Sequence, residues 1–555
     1  MTRNRLLTAL STMLLLSASL AQTSFQYPPD ELLSRIRPEG IRAQMAFLAD
    51  DLLEGRGTGT RGYQLAANYV RAQFEEMGLK PGGENGTYFQ NVHFRKIELS
   101  RGQTSLTLKT NGTERSLTID RDYLLRGDPS SQNSTAEGQL TYVGYGVTAP
   151  EFGYDDYAGV DVRGKIVVTF YGAPQSFPSA PGAHYSSAEV KLANAAARGA
   201  IGLLQIWGLK QEQRTPFEMV ARFFRQPSLR WLDPKGSPND AQPTLHAYAW
   251  ISSAVAAGMF ENSGHTWKEV QAEAAAGKPR AIALATMATV HIVSRYSEVE
   301  SPNIAAILPG SDPQLRGEYV VYSAHLDHLG IGDPVNGDNI YNGAADNASG
   351  SAALLEIARA FSAMAVAPRR SLLFLAVTGE EEGLLGSDFY AHNPTVPMAQ
   401  IVANVNMDEI SLLYDFKDIV PMGAEHSNLS GVVDDVARHM NLTISPDPAP
   451  DEVYFIRSDQ YSFVKQGVPS VYVSEGYQAV DPKLNGQKIS DNWEATRYHM
   501  PSDDMNQPLN FDAAAKAARV DLAIGYEVAQ QNDRPQWNAG DFFQKLAGKT
   551  AAGSH

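Results

Sequence analysis

From residue 300 onward the sequence alternates between short apolar segments typical of β-strands and amphipathic segments typical of α-helices. Strands are predicted at 319–325, 371–377, 401–407 and 468–474, and helices at 349–361, 384–392, 428–440 and 511–530. Such alternation places helices on both faces of a mainly parallel sheet. We therefore predict an α/β fold, built on a mainly parallel mixed sheet sandwiched by helices.

Three of these predicted strands end at side chains that can bind metals. His325 ends the first strand and Asp408 ends the third. Glu380 and Glu381 follow the end of the second strand. Because the carboxyl ends of parallel strands meet at one edge of a sheet, we expect these side chains to lie close together. A lone histidine at a strand end is usually a hydrogen-bonded core residue, but this convergence favours a metal site.

Two further candidate ligands lie in loops. Asp346 stands in NGAADNASG, where Asn347 or Ser349 can cap the following helix and leave the Asp346 carboxylate free. His499 lies in RYHMPSDD, a loop without periodic context. The chain has no cysteine, so any metal site is built from His, Asp and Glu. Two histidines and three carboxylates, one of them able to bridge, suit a pair of zinc ions and hydrolysis by metal-activated water.

The residues beside these ligands suggest a division of roles. Adjacent carboxylates can share the work, one binding the metal and the other taking a proton from water, which fits Glu380 and Glu381. Glu382 is expected to be a bystander. A ligating imidazole needs its second nitrogen held, and Asp327, two residues after His325, is a candidate for that partner or for a carboxylate close behind the site.

The charge balance excludes one class of partner. The sequence has 46 lysine and arginine residues against 62 aspartate and glutamate residues, a net charge of −16. Nucleic-acid binding needs a concentrated basic surface, and the sequence contains no basic run. A nucleic-acid partner is therefore not expected, and the acidity favours solubility.

The first residues, 1–21, read as a secretory signal peptide. Two early arginines supply the positive start, an apolar stretch follows at 6–16, and Ala21 ends a small-x-small cleavage site. The apolar stretch is short for a membrane span of about 20 residues, so cleavage is favoured over an anchor. We expect an exported protein, periplasmic or secreted, with no membrane partner after cleavage.

The segment before residue 300 has a different character. Asn111-Gly112, between two alternating segments, predicts a hairpin. Short strands then dominate, with the words QLTYVGYGV, KIVVTFYG and IGLLQI. We predict an inserted β-rich domain at 125–290. The main domain is discontinuous and comprises 22–124 and 291–545, and a tail follows at 546–555.

The words SAHLDHLG, GAADNASG, TGEEEGLLGS and RYHMPSD, with a Met-Asp pair at 407–408, together resemble the M28 family of metallopeptidases, the co-catalytic di-zinc aminopeptidases and their relatives. The resemblance is close over about 300–510 and loose over 40–80. It implies a zinc exopeptidase fold, peptide substrates and two Zn²⁺ ions per chain. It also implies Glu380 as general base and, as metal ligands, His325, Asp346, Glu381, Asp408 and His499.

The same resemblance implies how the ligands are shared. Asp346 bridges the two ions, His325 and Asp408 complete one site, and Glu381 and His499 complete the other.

Other positions match or depart from the family pattern. Asp327 and Asp503 match positions behind the ligands. Ala345 stands where the family often has Asp, beside the bridging residue. Gln460 stands where His is common, in a segment expected to help form the substrate pocket, so it bears on specificity.

The inserted segment resembles, at the level of pattern, a protease-associated (PA) domain. The words are DVRGKIVVTFYG and, after an alanine-rich helical stretch, RGAIGLLQI. This resemblance implies that the insert restricts or shapes access to the active site; the alternative is a structural lid without a direct role.

The function predicted from these patterns is a zinc aminopeptidase that removes N-terminal residues from peptides. A carboxypeptidase or dipeptidase of the same family is the first alternative, for which Arg457 or Arg497 would have to bind a free carboxylate. A non-catalytic, receptor-like protein or a mononuclear glutaminyl-cyclase-like protein on the same fold is the second. No pattern in the sequence fixes an oligomeric state.

Overall fold

The computed structural model describes residues 25–261, 263–450 and 454–553. The predicted signal peptide, 1–21, lies outside the described residues. Among the residues that are described, none of the helices combines the length and the apolar character that crossing a bilayer requires.

The helices are α1 Asp30–Leu33, α2 Pro38–Leu48, α3 Arg61–Glu76, α4 Ser179–Ser186, α5 Ala188–Ala197, α6 Leu209–Arg214, α7 Phe217–Arg225, α8 Ser253–Met259, α9 Trp267–Ala275, α10 Gly350–Ser362, α11 Leu385–His392, α12 Leu429–His439, α13 Gln460–Lys465, α14 Gly486–Thr496, α15 Phe511–Gln530 and α16 Phe542–Gly553.

The strands are β1 Lys80–Pro81, β2 Phe89–Leu99, β3 Ser105–Thr110, β4 Thr113–Ser116, β5 Tyr123–Leu125, β6 Asn133–Tyr142, β7 Thr148–Ala149, β8 Tyr154–Asp155, β9 Ile166–Phe170, β10 Gly202–Trp207, β11 Ser228–Trp231, β12 Tyr248–Ser252, β13 Ile282–Leu308, β14 Tyr319–His325, β15 Gly330–Val335, β16 Asp338–Tyr341, β17 Ser371–Val377, β18 Ile401–Asn406, β19 Asp418–Met422, β20 Thr443–Ile444 and β21 Ser470–Glu475.

The first sheet has the order β11-β2-β13-β17-β14-β18-β21-β19-β20. Its centre, β17-β14-β18-β21, is parallel, and β13 and β19 run antiparallel on either side. Helices α2, α10 and α15 pack on one face and α11 and α13 on the other. Since both faces are covered, the central strands β17 and β18 are buried along their whole length. The predicted α/β fold with a mainly parallel mixed sheet is confirmed.

The second sheet has the order β5-β12-β10-β9-β6-β13-β3-β4. One long strand, β13, joins the two sheets: residues 282–293 pair with β6 in the second sheet, and residues 294–304 pair with β2 in the first. Its own apolar core lies between the second sheet and α8 and α9.

The insert has different edges from those predicted at 125 and 290. The hairpin β3–β4 belongs to the second sheet, so that sheet begins at Ser105. Its turn residues Asn111 and Gly112 both have positive φ, as predicted for this hairpin. In contrast, β11 lies within the predicted insert but pairs with β2 of the first sheet. Strand alternation indicates a strand and not the sheet that it joins, so the sequence pattern could not place these edges.

The predicted tail at 546–555 also needs correction, because helix α16 crosses its boundary. Phe543 near the start of this helix is buried against Phe455 of the main domain, with ring centroids 5.2 Å apart. The preceding Phe542 packs edge-to-face on Tyr185 of the insert, at 5.8 Å. The helix therefore ties the C-terminal end of the chain to both sheets.

Candidate metal centre

The five predicted ligands lie together beyond the carboxyl ends of β14, β17 and β18. His325, the last residue of β14, directs Nε2 to Asp408 Oδ1 at 3.0 Å and to Asp346 Oδ1 at 3.3 Å. These three side chains form one group whose donor atoms could hold a single cation.

A second group shares the same aspartate. His499 Nε2 lies 3.1 Å from Asp346 Oδ2 and 3.1 Å from Glu381 Oε2. Asp346 therefore presents one carboxylate oxygen to each histidine. This is the arrangement expected of a carboxylate that bridges two cations, and both groups are assembled from ends of strands and loops of the main domain.

His328 is a further member of the second group that sequence reasoning missed. Its Nδ1 lies 2.6 Å from Glu381 Oε1 and 3.8 Å from Asp346 Oδ2, and the side chain is buried. Both ring nitrogens of His328 and Oε1 of Glu381 lack an aligned hydrogen bond. Buried polar atoms without partners are rare, so these atoms fit a cation site. The repeated histidine in HLDH was the available signal.

The donor chemistry fits zinc. Imidazole nitrogens and carboxylate oxygens without thiolate are ligands that Zn²⁺ accepts in catalytic sites. Acidic groups crowd the same place, since Glu380 and Glu409 are direct chain neighbours of the ligands. Burial, together with the charges of Asp408 and Glu381, raises the pKa of Glu380 well above its usual value. Burial and nearby carboxylates likewise raise the pKa of Glu409 well above its usual value. The cluster therefore carries an excess of acid that bound cations would offset.

Asp327 positions both glutamates. Its carboxylate accepts the backbone N–H of Glu380 at 3.2 Å and of Glu381 at 3.4 Å, and the hydroxyl of Thr58 at 3.0 Å. His325 Nδ1 lies 3.1 Å from the main-chain oxygen of Asp327 and 4.0 Å from the Asp327 carboxylate. The imidazole is thus held by the Asp327 carbonyl and not by the side chain that the sequence suggested.

Asp503 holds the loop that carries the shared aspartate. Its carboxylate accepts the backbone N–H groups of Ala345, at 3.0 Å, and of Asp346, at 3.1 Å. The side-chain amide of Gln507 also donates to Asp503. The departure from the family pattern at Ala345 leaves this bond intact, because it is made by the backbone.

Arg56 holds the loops around the centre through hydrogen bonds to their main-chain oxygens, and it was not identified from the sequence. Its buried guanidinium donates to the main-chain oxygens of Leu326, Asn342 and Gly343, at 2.9, 2.7 and 2.8 Å, and also to that of Leu48. Burial lowers the pKa of Arg56 to about 10, although carboxylates of the site oppose this. One side chain thereby fixes the chain on both sides of His328.

Asp408 is held through a polar network within the sheet. Ser458 donates to Asp408 Oδ2 at 2.6 Å, and Asn406 donates to Ser458 at 2.8 Å and to Gln460 at 2.9 Å. Gln460 in turn donates to the main-chain oxygen of Phe455 at 2.9 Å and is fully buried. Gln460 was expected to affect the substrate pocket, but its contacts make it part of this internal network.

Three cavities touch the centre, and one of them, of about 500 Å³, meets it at Glu381 and the two residues that follow. The other two are called the first and the second cavity. The first, of about 140 Å³, touches Ala345, Glu409 and Tyr498. The second, of about 320 Å³, touches His328, Glu381 and His499. The rings of Tyr498 and His499 are stacked with centroids 3.9 Å apart. This stacked pair separates the cavities, with Tyr498 lining the first and His499 the second.

Residues 303–524, which include all the predicted ligands, match the model of peptidase family M28. This segment of the chain belongs to peptidase family M28. The chain is 28% identical over 243 residues to Aminopeptidase Y of Saccharomyces cerevisiae, and the aligned region covers 42% of this chain and 40% of the relative. It is 37% identical over 109 residues to Leupeptin-inactivating enzyme 1 of Streptomyces exfoliatus, and the aligned region covers 20% of this chain and 22% of the relative.

The chain thus spans two fifths or less of the length of these curated relatives. Among solved structures, the aminopeptidase from Aneurinibacillus sp. strain AM-1 aligns with a TM-score of 0.52 at 19% identity, over 91% of this chain and 96% of that chain. This likeness shows a shared fold.

Asp503→Asn tests how the shared aspartate is held. The carboxylate of Asp503 accepts from the N–H groups of Ala345 and Asp346 through two oxygens, whereas an asparagine side chain has one oxygen and an –NH₂ group. One of the two N–H groups therefore loses its acceptor. We expect zinc affinity to fall by about 10- to 100-fold, measured by competition with a chromophoric chelator. Asp504→Asn is the matched control, since that half-buried neighbour accepts hydrogen bonds from Asn506 and from no described residue of the ligand loops. Equal affinities for the two variants would show that Asp503 does not position the ligand.

Metal binding should release protons. Burial disfavours the charged imidazole of His499, but Glu381 and Asp346 outweigh it and raise its pKa to about 10. Carboxylates likewise raise the pKa of His325 well above its usual value against the effect of burial. Both rings are therefore protonated at neutral pH without metal, and zinc affinity should rise with pH by about tenfold per pH unit for each proton displaced. Calorimetry at pH 7 in buffers of different ionisation enthalpy should show this release; binding that releases no proton would contradict it.

Proposed function

We propose that this M28 protein is a di-zinc aminopeptidase that removes N-terminal residues from peptides. The observation that carries the proposal is the Asp346 carboxylate, whose two oxygens face two separate histidine–carboxylate groups. Similarity to proteins such as Aminopeptidase Y of Saccharomyces cerevisiae supports the same activity.

The ligands divide between two ions. His325, Asp346 and Asp408 would hold one zinc. Asp346, Glu381 and His499 would hold the other, with His328 beside Glu381 as a further candidate ligand. Two zinc ions held in this way would supply Lewis-acid chemistry, lowering the pKa of water and polarising the scissile carbonyl.

Glu380 is the proposed general base. Its backbone is held by Asp327 next to the ligand Glu381, so its carboxylate belongs to the same edge as the metal ligands. Its raised pKa gives it the proton affinity that the role needs. Glu380 accepts a proton from the attacking water and returns it to the leaving amino group.

The first cavity favours a free amino group. Its lining carries more acidic than basic side chains, namely Glu409, Asp447, Glu475 and Glu494 against Arg457. Its remaining wall is largely apolar, with Ile410, Leu412 and Tyr472 among its members. An ammonium group is attracted by such a set of carboxylates and a free carboxylate is repelled. We therefore place the substrate's amino terminus and first side chain here and expect a preference for large apolar residues.

The carboxypeptidase alternative has weaker support. Arg457 lines the first cavity, but its guanidinium lies over the ring of Tyr454, at 5.4 Å, and donates to the hydroxyl of Tyr498 at 3.3 Å. Arg497 donates to the main-chain oxygen of Ser502 at 2.6 Å in an exposed turn. Both arginines thus have local partners, while the acids around Arg457 oppose binding of a carboxylate.

Two further parts of the proposal concern the rest of the chain. We propose that residues 1–21 direct export to the periplasm or medium, on the basis of their sequence pattern. We also propose that the insert acts as a PA-like domain that shapes access to the site. Its helix α7 supports this role, because Phe223 packs near the ring of His499 with centroids 5.8 Å apart.

Glu380→Ala separates catalysis from metal binding. We expect kcat to fall by at least about 100-fold, because proton transfer from water loses its acceptor. Metal content, measured on the same sample by elemental analysis, should stay at two zinc ions per chain. Full activity in this variant would show that another group accepts the proton.

A substrate panel tests the activity itself. Release of p-nitroaniline from leucine, alanine, lysine and glutamate p-nitroanilides should be fastest for leucine, and N-acetylation should abolish it because the ammonium group is lost. A chelator should stop the reaction and added zinc should restore it. Cleavage of N-blocked peptides from the carboxyl end, with no release from free-amine substrates, would establish the carboxypeptidase alternative instead.

A further inference from the structure

The second cavity differs in charge from the first. Three cationic side chains line it, from three separate segments: Lys96 of β2, Arg126 just after β5 and Arg222 of α7. The first cavity, in contrast, has one arginine among several acids. A peptide that crosses the metal centre past the stacked rings of Tyr498 and His499 would therefore pass from acidic to more basic surroundings.

The acids that line the second cavity are largely engaged. Glu381 is one of the predicted metal ligands. Glu382 pairs with Arg126 at 3.5 Å, and Asp333 pairs with Arg225, outside the cavity, at 3.4 Å. The remaining acid, Glu54, is exposed to solvent.

Arg126 pairs with Glu382, but across 25–261, 263–450 and 454–553 no carboxylate lies within 4.0 Å of the Lys96 ammonium or of the Arg222 guanidinium. Of these two cations, Arg222 has the planar guanidinium. Its side-chain contact is the sulfur of Met500, at 4.0 Å, and the residue is partly buried. A partly buried guanidinium without an anion is costly, and its planar fork is suited to a carboxylate held by two parallel hydrogen bonds.

Arg222 also lies close to the proposed metal ligand His499. Its contact Met500 follows the ligand His499 in the chain, and its neighbour Phe223 packs near the His499 ring. An extended peptide advances roughly 3.5 Å per residue. A carboxylate one or two residues beyond the cut bond therefore comes within reach of Arg222, while α7 and the following Gln226 and Pro227 line this side of the cavity.

We infer that the second cavity binds a carboxylate on the leaving side of the scissile bond, with Arg222 as the residue that selects it and Lys96 supporting it. The preferred substrates are then short peptides, of two or three residues, in which that carboxylate lies next to the cut bond. The inference rests on the proposed aminopeptidase function and names its substrate class.

The test compares zinc-loaded full-length protein on matched substrates. Leu-Gly and Leu-Gly amide differ in the C-terminal carboxylate, Leu-Asp amide carries one on its side chain, and leucine p-nitroanilide has none. For the wild type we expect kcat/KM on Leu-Gly to exceed that on Leu-Gly amide by about tenfold or more, the size expected for a charge-assisted hydrogen-bonded pair.

Arg222→Gln should bring that ratio close to one, mainly through KM for Leu-Gly. The ratio is taken within one protein sample, so it does not depend on yield or on partial misfolding. Arg295→Gln is the matched control, because it removes a positive charge from an exposed residue that pairs with Glu98 and does not line the second cavity. This control should keep the wild-type ratio.

The outcomes separate the possible failures. Preference for Leu-Asp amide over Leu-Gly amide would assign the bound carboxylate to a side chain, and preference for Leu-Gly alone would assign it to the C-terminus; loss of either preference in Arg222→Gln supports the site. Equal rates on all three dipeptide substrates, or an unchanged ratio in Arg222→Gln, would overturn it while leaving the aminopeptidase function intact. No cleavage of any free-amine substrate, leucine p-nitroanilide included, would overturn both.

Discussion

Crowding of buried carboxylates at one edge of a parallel sheet is the constraint on which the rest of this site depends. Asp346, Glu381 and Asp408 share a space with three imidazoles, and Glu380 and Glu409 adjoin them. Like charges in a region of low dielectric raise one another's free energy unless protons or cations balance them. Protonated histidines give one such balance and two divalent cations would give the other, so the same geometry that favours protonation of the metal-free protein also favours metal binding.

Two further carboxylates next to the cluster, those of Asp327 and Asp503, accept hydrogen bonds from the backbone and are not among the proposed ligands. Asp327 accepts the N–H groups of the two glutamates, and Asp503 accepts those of Ala345 and Asp346. Arg56 does the reverse, donating to main-chain oxygens of the same loops. The loop that carries Asp346 is thus held at both its main-chain oxygens and its N–H groups, which lets an irregular segment position a ligand accurately.

The sequence pattern could predict the parts of the site that regular structure determines. His325 and Asp408 follow from strands whose lengths are visible as apolar runs, because such strands end at one edge. Loop residues follow no period, so Asp346 and His499 were identified through short words shared with a family. Arg56 could not be predicted, because it lies 270 residues from its partner Leu326 and only the folded chain joins them. His328 was not assigned to the cluster, since nothing in a loop sequence fixes where its ring points.

The first and second cavities beside the centre are built by different parts of the chain. The ligands and the first cavity belong to the main domain, whereas α7, with Arg222 and Phe223, comes from the segment 125–290. Because β13 is one continuous strand through both sheets, the insert is fixed relative to the ligands without contributing any of them. Residues of α7 can therefore set which leaving group is accepted while the carboxylate–imidazole balance, and with it the metal chemistry, stays unchanged.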